Sequence, residues 1–475
     1  MKILLVNPPA GFSYGVLGIS RPPLGLAYLA AVLRDRHEIK IVDFNVERPS
    51  WSKYPYGEFD LVGISVDTSR FLVALKIAKL AKKRGAKVVM GGPHVSFLDG
   101  EALESGAVDY VVRNEGEISF LSLVEFLSGK RSFEEVRGVS YLESGSVRRT
   151  PDAPFIDDLD ALPFPARDLL PLRLYKEKMN GRLMTTVVTS RGCPYNCEFC
   201  SSSEFFGVRW RARSAENIIE EVELLHDKYG YRAISFVDDN FTLNPARAIK
   251  VSELIMAKGW DVTWAAMTRV DTIVKHPEMI RTMARAGLRW TFIGFESGSQ
   301  ESLDAYGKKA QVGDALRAMD ILRENNVEVT GAFILGAPGE TKAMMRQTIK
   351  FARRLNPRRA QFSILTPYPG SKLYDDVQDR LLTRDWEQYS GMHPTMALDH
   401  VSSVGMRGVQ FEAYSTFYLR PSKAVENVSY IFRGVPGLSG QLALKFMLTP
   451  AARIATYAML AAWKWFAGPP RSPVS

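Results

Sequence analysis

The segment Arg191-Gly192-Cys193-Pro194-Tyr195-Asn196-Cys197-Glu198-Phe199-Cys200 holds all three cysteines of this 475-residue chain, spaced C-x3-C-x2-C. Thiolates are soft ligands that hold iron–sulfur clusters. A 4Fe-4S cluster has four irons, so Cys193, Cys197 and Cys200 would leave one iron without a protein ligand. An open position on a metal is where a small chelating molecule binds. Zinc usually takes four ligands from paired C-x2-C or C-H elements, and no second pair exists here. An odd number of cysteines at such tight spacing does not make a disulfide framework. Met184–Thr189 reads as a buried strand, which puts the cysteine loop at a strand's carboxyl end. Gly192 and Pro194 interrupt regular structure and let backbone approach a bulky group.

Residues 182–380 alternate strand and helix patterns around this loop. The expected strands are Met184–Thr189, Ala233–Val237, Val262–Ala266, Trp290–Gly294, Val327–Leu335 and Gln361–Leu365. The intervening helices include Ala215–Tyr229, Arg247–Lys258, Pro277–Ala286, Asp314–Asn325 and Glu340–Leu355. In barrels of this kind, chemistry gathers at the carboxyl ends of strands. Those ends carry Asp238 and Asp239, then Arg269 with Asp271, then Glu296 and Ser297. Strand five contains Gly331 and Phe333, and strand six leads into Thr366-Pro367-Tyr368-Pro369-Gly370-Ser371-Lys372-Leu373-Tyr374. Ordinary loop acids and a helix-capping or structural salt bridge are the alternatives for Asp239, Glu296 and Arg269.

Residues 1–150 alternate in the same way. Strands are expected at Ile3–Val6, Ile39–Val42, Leu61–Ser65, Lys87–Met90 and Tyr110–Val112, with helices at Leu24–Leu33, Phe71–Lys83 and Glu117–Leu127. This is the pattern of a doubly wound parallel sheet covered on both faces. Ligands of such sheets bind outside the carboxyl ends of the strands. There lie Ser65, Asp67, Thr68 and Ser69, then Gly91, Gly92, Pro93 and His94, then Glu115, Gly116 and Glu117. No G-x-G-x-x-G follows the first strand, which argues against a dinucleotide. A small hairpin, Gly138–Leu142 and Ser146–Thr150, ends this half. Residues 151–181 form an acidic, proline-bearing linker around Asp157-Asp158-Leu159-Asp160-Ala161-Leu162-Pro163-Phe164-Pro165.

The cysteine loop resembles that of the radical S-adenosylmethionine (SAM) enzymes. The opening VNPP, the RPPLGLAYLAAVL helix, GGPH and NEGE resemble the cobalamin-binding domain that precedes the radical SAM domain in one large subgroup. That resemblance implies a 4Fe-4S cluster, SAM and cobalamin as cofactors, and a partial (β/α)6 barrel after a Rossmann-like domain. It places Phe199 against the adenine of SAM and Asp238 and Asp239 near its amino group. Arg269 falls where a cation meets its carboxylate. Glu296 falls on the ribose or amine side, Gly331 and Phe333 on the adenine-side strand, and Ser297 and Thr366 among the residues around SAM. The strand-end residues of the first half are placed around cobalamin. The D-x-H-x-x-G motif that supplies a cobalt histidine is absent: Asp35-Arg36-His37 imitates its start, but Lys40 stands where the glycine belongs. A loop hydrogen bond is therefore the expected role of His94, ahead of metal ligation. The resemblance implies a methyl transfer to an unactivated carbon, with electrons from an external donor of the flavodoxin or ferredoxin type. Oxidative cyclisation, ring contraction and carbon–carbon linkage are the other outcomes in the subgroup. A cofactor-binding sensor and an RNA-modifying enzyme are the readings from other classes, and no RNA-binding domain is evident, so no nucleic acid is expected.

Hydrophobic residues make up 46% and charged residues 24% of the chain, which is a globular composition. No secretory signal precedes the first strand, and three clustered cysteines suit a reducing cytoplasm. Residues 381–475 are expected to form a mostly helical lid and tail, with Trp386, Tyr389, Met392 and His393 over the barrel mouth. Phe411–Leu419 is aromatic and either lines a substrate channel or packs the lid. Residues 401–475 hold eight Lys/Arg against two acids, which is +6 of the chain's +9. A helix over Ala451–Phe466 has a thin basic stripe among tryptophan and tyrosine. It suits peripheral contact with the inner face of a membrane, and with it a hydrophobic small-molecule or lipid substrate.

Overall fold

The computed structural model describes residues 1–10 and 20–423. The first sheet runs in the order β2-β1-β3-β4-β5-β6-β7. Its strands are β1 (Lys2–Asn7), β2 (Glu38–Asp43), β3 (Leu61–Ser65), β4 (Lys87–Gly91), β5 (Tyr110–Val112), β6 (Val139–Glu143) and β7 (Ser146–Arg149). The first five are parallel, and β6 and β7 join as an antiparallel edge. Successive side chains of a strand face opposite ways, and a parallel sheet buries both faces. In β1, Ile3 and Leu5 pack with helices Leu24–Leu33 and Gly116–Leu127, while Leu4 and Val6 pack with helix Phe71–Lys83. The hairpin turns on Ser144 (φ 50°) and Gly145 (φ 79°), the left-handed pair that a tight two-residue hairpin requires.

The second sheet has the order β16-β15-β14-β13-β12-β9-β8 and curls into a partial barrel. Its strands are β8 (Lys178–Met179), β9 (Arg182–Val187), β12 (Ala233–Phe236), β13 (Thr263–Met267), β14 (Leu288–Glu296), β15 (Glu328–Leu335) and β16 (Arg359–Ile364). Apart from antiparallel β8, all are parallel to their neighbours. The strand expected to run to Thr189 stops at Val187, because the Asp238 carboxylate takes the Thr189 N–H at 2.6 Å. Beyond it, β10 (Ser190–Arg191) pairs with β11 (Arg211–Ala212) in a separate two-stranded ribbon. All three cysteines lie in the loop that this ribbon closes.

The segment 151–181 anchors on both sheets. Arg167 is buried and donates to the Thr186 carbonyl and to Glu221, each at 2.7 Å, while Tyr175 donates to Asp43 of β2 at 2.9 Å. The expectation for Trp386 and Tyr389 is corrected. They do not roof the barrel but pack into the first sheet's core beside helix Phe71–Lys83, where the Trp386 indole donates to Glu101 at 3.0 Å. Residues 381–402 carry one short 3-10 turn, Trp386–Gln388, and an isolated bridge from Leu381 to Met396, so the mostly helical character expected for 381–475 is met in the described part by helix Ser403–Tyr418 and the helical residues 421–423. Helix Ser403–Tyr418 holds the aromatic stretch from Phe411 to Tyr418, with Leu419 just past its end, and covers the outer edge of β16. Tyr418 and Tyr414 hydroxyls bond the backbone of Ala360 and Phe362, and the Gln410 amide donates to the Phe362 carbonyl at 2.8 Å. An uncovered edge strand is a site for unwanted pairing, so the cap closes the sheet. The helix expected at Ala451–Phe466 lies outside the described residues. Among the described residues no helix is long and apolar enough to cross a membrane.

Tyr418→Phe removes a hydroxyl that serves both the N–H and the carbonyl of Ala360. Urea titration should show a loss of about 1–2 kcal/mol, with the secondary structure retained.

Candidate functional site

A cavity of about 330 Å³ opens between the two sheets. On the first-sheet side it is walled by Leu5, Leu24, Leu29, Val89, Val112 and Phe120, and rimmed by glycines. At two of these glycines a side chain would crowd its neighbours. A Cβ on Gly63 would meet Leu5 at 3.0 Å and Phe120 at 3.3 Å. On Gly92, at φ 114°, it would meet the Val66 carbonyl at 2.6 Å. On the other side stand Val188, Ser190, Arg191, Phe205, Phe206, Val237 and Asp239, which flank the cysteine loop. An apolar slot with a few polar groups at its rim suits a large planar ligand such as cobalamin.

Of the strand-end residues expected in this half, Ser65, Gly91, Gly92, Pro93, Glu115, Gly116 and Glu117 line the cavity. Asp67, Thr68, Ser69 and His94 stand off it. Asp67 caps the next turn and accepts from Ser69 at 2.9 Å and from Arg70 at 2.6 Å. His94 sits on the short helix Pro93–Phe97 rather than in a loop, and is buried between Phe71 and Trp386. Its Nδ1 lies 3.3 Å from the Thr68 hydroxyl, and its Nε2 has no hydrogen-bond partner, with Glu101 3.8 Å away. Burial pulls the imidazole down to about 3.

The cysteines are half-buried on a tethered loop. Gly192 takes φ 82°, and a Cβ there would strike the Arg209 carbonyl at 2.1 Å. The Cys200 N–H donates to the Cys197 carbonyl at 2.9 Å. Between them Glu198 is bracketed: its N–H donates to the Tyr306 carbonyl at 3.1 Å, and its own carbonyl accepts from Leu373 at 2.8 Å. Burial pushes the Cys193 and Cys197 thiols up, with Arg269 pulling both down and Lys308 also opposing the rise at Cys197. Among the described residues no three His, Cys, Asp or Glu side chains stand at metal-ligating spacing. The fit to an iron–sulfur cluster lies in the donor set, three soft sulfurs on one anchored loop beside two cations.

The residues expected around SAM divide. Phe199 packs edge-on against Tyr306 at 5.6 Å. Asp239 reaches the cavity and accepts from Ser202 at 2.8 Å; enclosure by protein, then the Asp238 charge, push its carboxyl up. Arg269 lies over the Tyr195 ring at 3.6 Å and donates to Asp271 at 3.0 Å. Glu296, at φ 59° on a register shift of β14, pairs with buried Lys308 at 2.5 Å. Phe199 lies on the loop itself, and Asp239, Arg269 and Glu296 stand around it. Asp238, Ser297, Phe333 and Thr366 face packed protein instead. Asp238 accepts from Thr189 and Ser190, Ser297 bonds Thr348 at 2.9 Å, and Thr366 donates to the Ile364 carbonyl at 3.0 Å. Phe333 stacks between Phe295 and Phe362, and Gly331 leaves room for Phe295. Sequence reasoning did not single out Tyr28, Arg191, Phe205 and Phe206, which line the cavity, nor Arg211, which bonds Glu115, nor Lys308, which pairs with Glu296. Only Arg191 carried a signal, as the residue two before the first cysteine.

The B12 binding domain family matches residues 15–124, and the Radical SAM superfamily matches residues 187–352. The chain is 41% identical over 438 residues to an uncharacterised methyltransferase of Pyrococcus horikoshii, covering 90% of this chain and 95% of that one. It is 28% identical over 406 residues to the hopanoid C-3 methylase of Methylococcus capsulatus, covering 83% and 76% respectively. The solved structure of the cobalamin-dependent SAM radical enzyme OxsB with aqua-cobalamin bound shares the fold, with a TM-score of 0.75 at 17% identity over 97% of this chain and 72% of that one.

His94 is neutral when folded between about pH 3 and 6.5, whereas the unfolded chain protonates below about 6.5. Its contribution is complete above pH 6.5 and falls as pH drops, by at most about 1.4 kcal/mol per unit. Urea unfolding between pH 7 and 4.5 should show a shallower slope in His94→Phe. With cobalamin bound, that variant should keep the wild-type cobalt electron paramagnetic spectrum.

Proposed function

The chain belongs to the cobalamin-binding radical SAM enzymes, and from that premise we propose that it transfers a methyl group to an unactivated carbon of a hydrophobic substrate, an isoprenoid or other lipid. The enzyme uses a 4Fe-4S cluster, SAM and cobalamin, with an external electron donor. The observation that supports methyl transfer is the position of the cavity: it ends at Arg191 and Asp239, beside the cysteine loop, so a group held there stands next to the radical site. Bound together, these cofactors supply a carbon radical that takes hydrogen from an unactivated C–H bond and a methyl group to replace it. In this reading Cys193, Cys197 and Cys200 hold the cluster. Asp239 would accept from the amino group of SAM, while Arg269 and the Glu296–Lys308 pair would orient its polar end. The apolar walls would keep water from a group bound there, which protects a reactive carbon from side reactions. Support for a lipid comes from the hopanoid methylase relative and from the basic, aromatic tail, whose residues 424–475 lie outside the described part.

Anaerobically reconstituted protein should bind about four irons per chain. Cys197→Ala should release no 5′-deoxyadenosine from SAM under reducing conditions; undiminished release would overturn the cluster assignment. Lipid extracts from cells with and without the gene, compared by mass spectrometry, should differ by species one methylene heavier. Full-length protein should float with anionic vesicles, and a chain lacking residues 449–475 should not. If both stay in the soluble fraction, the membrane part of the reading is wrong.

A further inference from the structure

Arg191 and Arg211 are cross-strand partners in the ribbon that closes the cysteine loop. Both side chains reach across to the first sheet. Arg191 donates to Glu115 at 2.9 Å and to Glu117 at 2.5 Å, and Arg211 donates to Glu115 at 2.8 Å. Glu115 also accepts the Ile156 N–H at 2.9 Å. All four side chains are buried, and Arg191, Glu115 and Glu117 line the cavity. The two acids stand at the start of helix Gly116–Leu127, which itself walls the cavity through Phe120.

We propose that Arg191, Arg211, Glu115 and Glu117 form a clamp that holds the cysteine loop in register with the cobalamin cavity, so that cluster and cobalamin strengthen each other's binding. This rests on the functional reading above. The group carries no net charge, so it tolerates burial only while every pair is made. Guanidinium forks fix direction as well as distance, so the base of the loop cannot slide along helix Gly116–Leu127 without breaking bonds. Burial alone would raise the Glu115 carboxyl, yet Arg211 and Arg191 hold it below the usual range. A second tie runs parallel to the first. Helix Pro93–Phe97, whose Pro93 lines the cavity, packs on helix Ser201–Phe205, which begins right after Cys200. A cofactor that fixes either side therefore lowers the cost of ordering the other, and such a coupling must be reciprocal.

The clamp residues are positioning residues, and the test separates positioning from plain stability. Hydroxocobalamin is titrated, by absorbance, into full-length protein with and without a reconstituted cluster. Wild-type protein with its cluster should bind hydroxocobalamin about fivefold or more tightly than protein without it. In Glu117→Gln this ratio should fall to near one, with iron content retained. Arg191→Lys keeps the charge but loses the fork, and should give an intermediate ratio; it decides the matter if Glu117→Gln does not fold. Arg149→Gln breaks an ion pair between β7 and Asp99 of helix Asp99–Glu104, within the first half and away from the cavity, and should keep the wild-type ratio. A wild-type ratio of one, or an unchanged ratio in both clamp variants, overturns the clamp while the functional reading stands. Wild-type protein that takes up neither iron nor cobalamin overturns the functional reading and the clamp with it.

Discussion

A buried arginine has to be paired, and this chain buries two of them where its sheets meet. Removing one partner from such a pair typically costs about 3–5 kcal/mol, because a charge is left in protein. Arg191 and Arg211 therefore dictate where Glu115 and Glu117 must stand, and with them the start of helix Gly116–Leu127. A similar network sits at the back of the barrel, where Arg167 and Arg213 share Glu221 beneath β9. One network sets the loop against the cavity, and the other sets segment 151–181 against the strand that leads to the loop. The relative position of the two halves is thus fixed by a few directional bonds rather than by apolar area alone.

Most strands and helices were legible in the sequence because their apolar patterns are local. Leu61–Ser65, Tyr110–Val112 and the helices Leu24–Leu33 and Phe71–Lys83 have the expected bounds. The cysteine loop was legible because soft ligands at fixed spacing have few other uses. Long-range pairing was not legible. Glu115 and Arg191 are 76 residues apart, and nothing local ties the acids of NEGE to an arginine before the first cysteine. The same holds for Trp386, whose indole partner Glu101 lies 285 residues away. An aromatic cluster near the end of a barrel suggests a roof; only the fold shows that it packs under the other sheet.

Side-chain direction was the second thing hidden. Sequence places Ser297, Phe333 and Thr366 at or near strand ends but does not say which way they point. Along β15 buried residues alternate with half-buried ones, and Phe333 falls on the buried set, in a stack with Phe295 and Phe362. A one-residue change of register would have turned it round. In β14 the register shift between Gly294 and Glu296 does turn a residue, and it brings Glu296 to Lys308 beside Cys197. Such bulges re-aim single side chains at the rims of barrels.

Two adjacent aspartates just beyond β12, which ends at Phe236, have different surroundings, with the backbone bending at Asp239. Asp238 turns back beneath the loop, where Thr189 and Ser190 saturate it and Arg247 in turn binds the Thr189 carbonyl at 2.7 Å. Asp239 is turned outward, into the cavity, with Ser202 as its hydrogen-bond donor. Ser202 lies two residues after Cys200, on the helix that packs against Pro93–Phe97, so the carboxylate is held from the loop and from the strand end at once. A charge held from two sides in an enclosed space needs little reorganisation to meet a cation, and preorganisation of this kind is what gives a fixed carboxylate more effect than a mobile one.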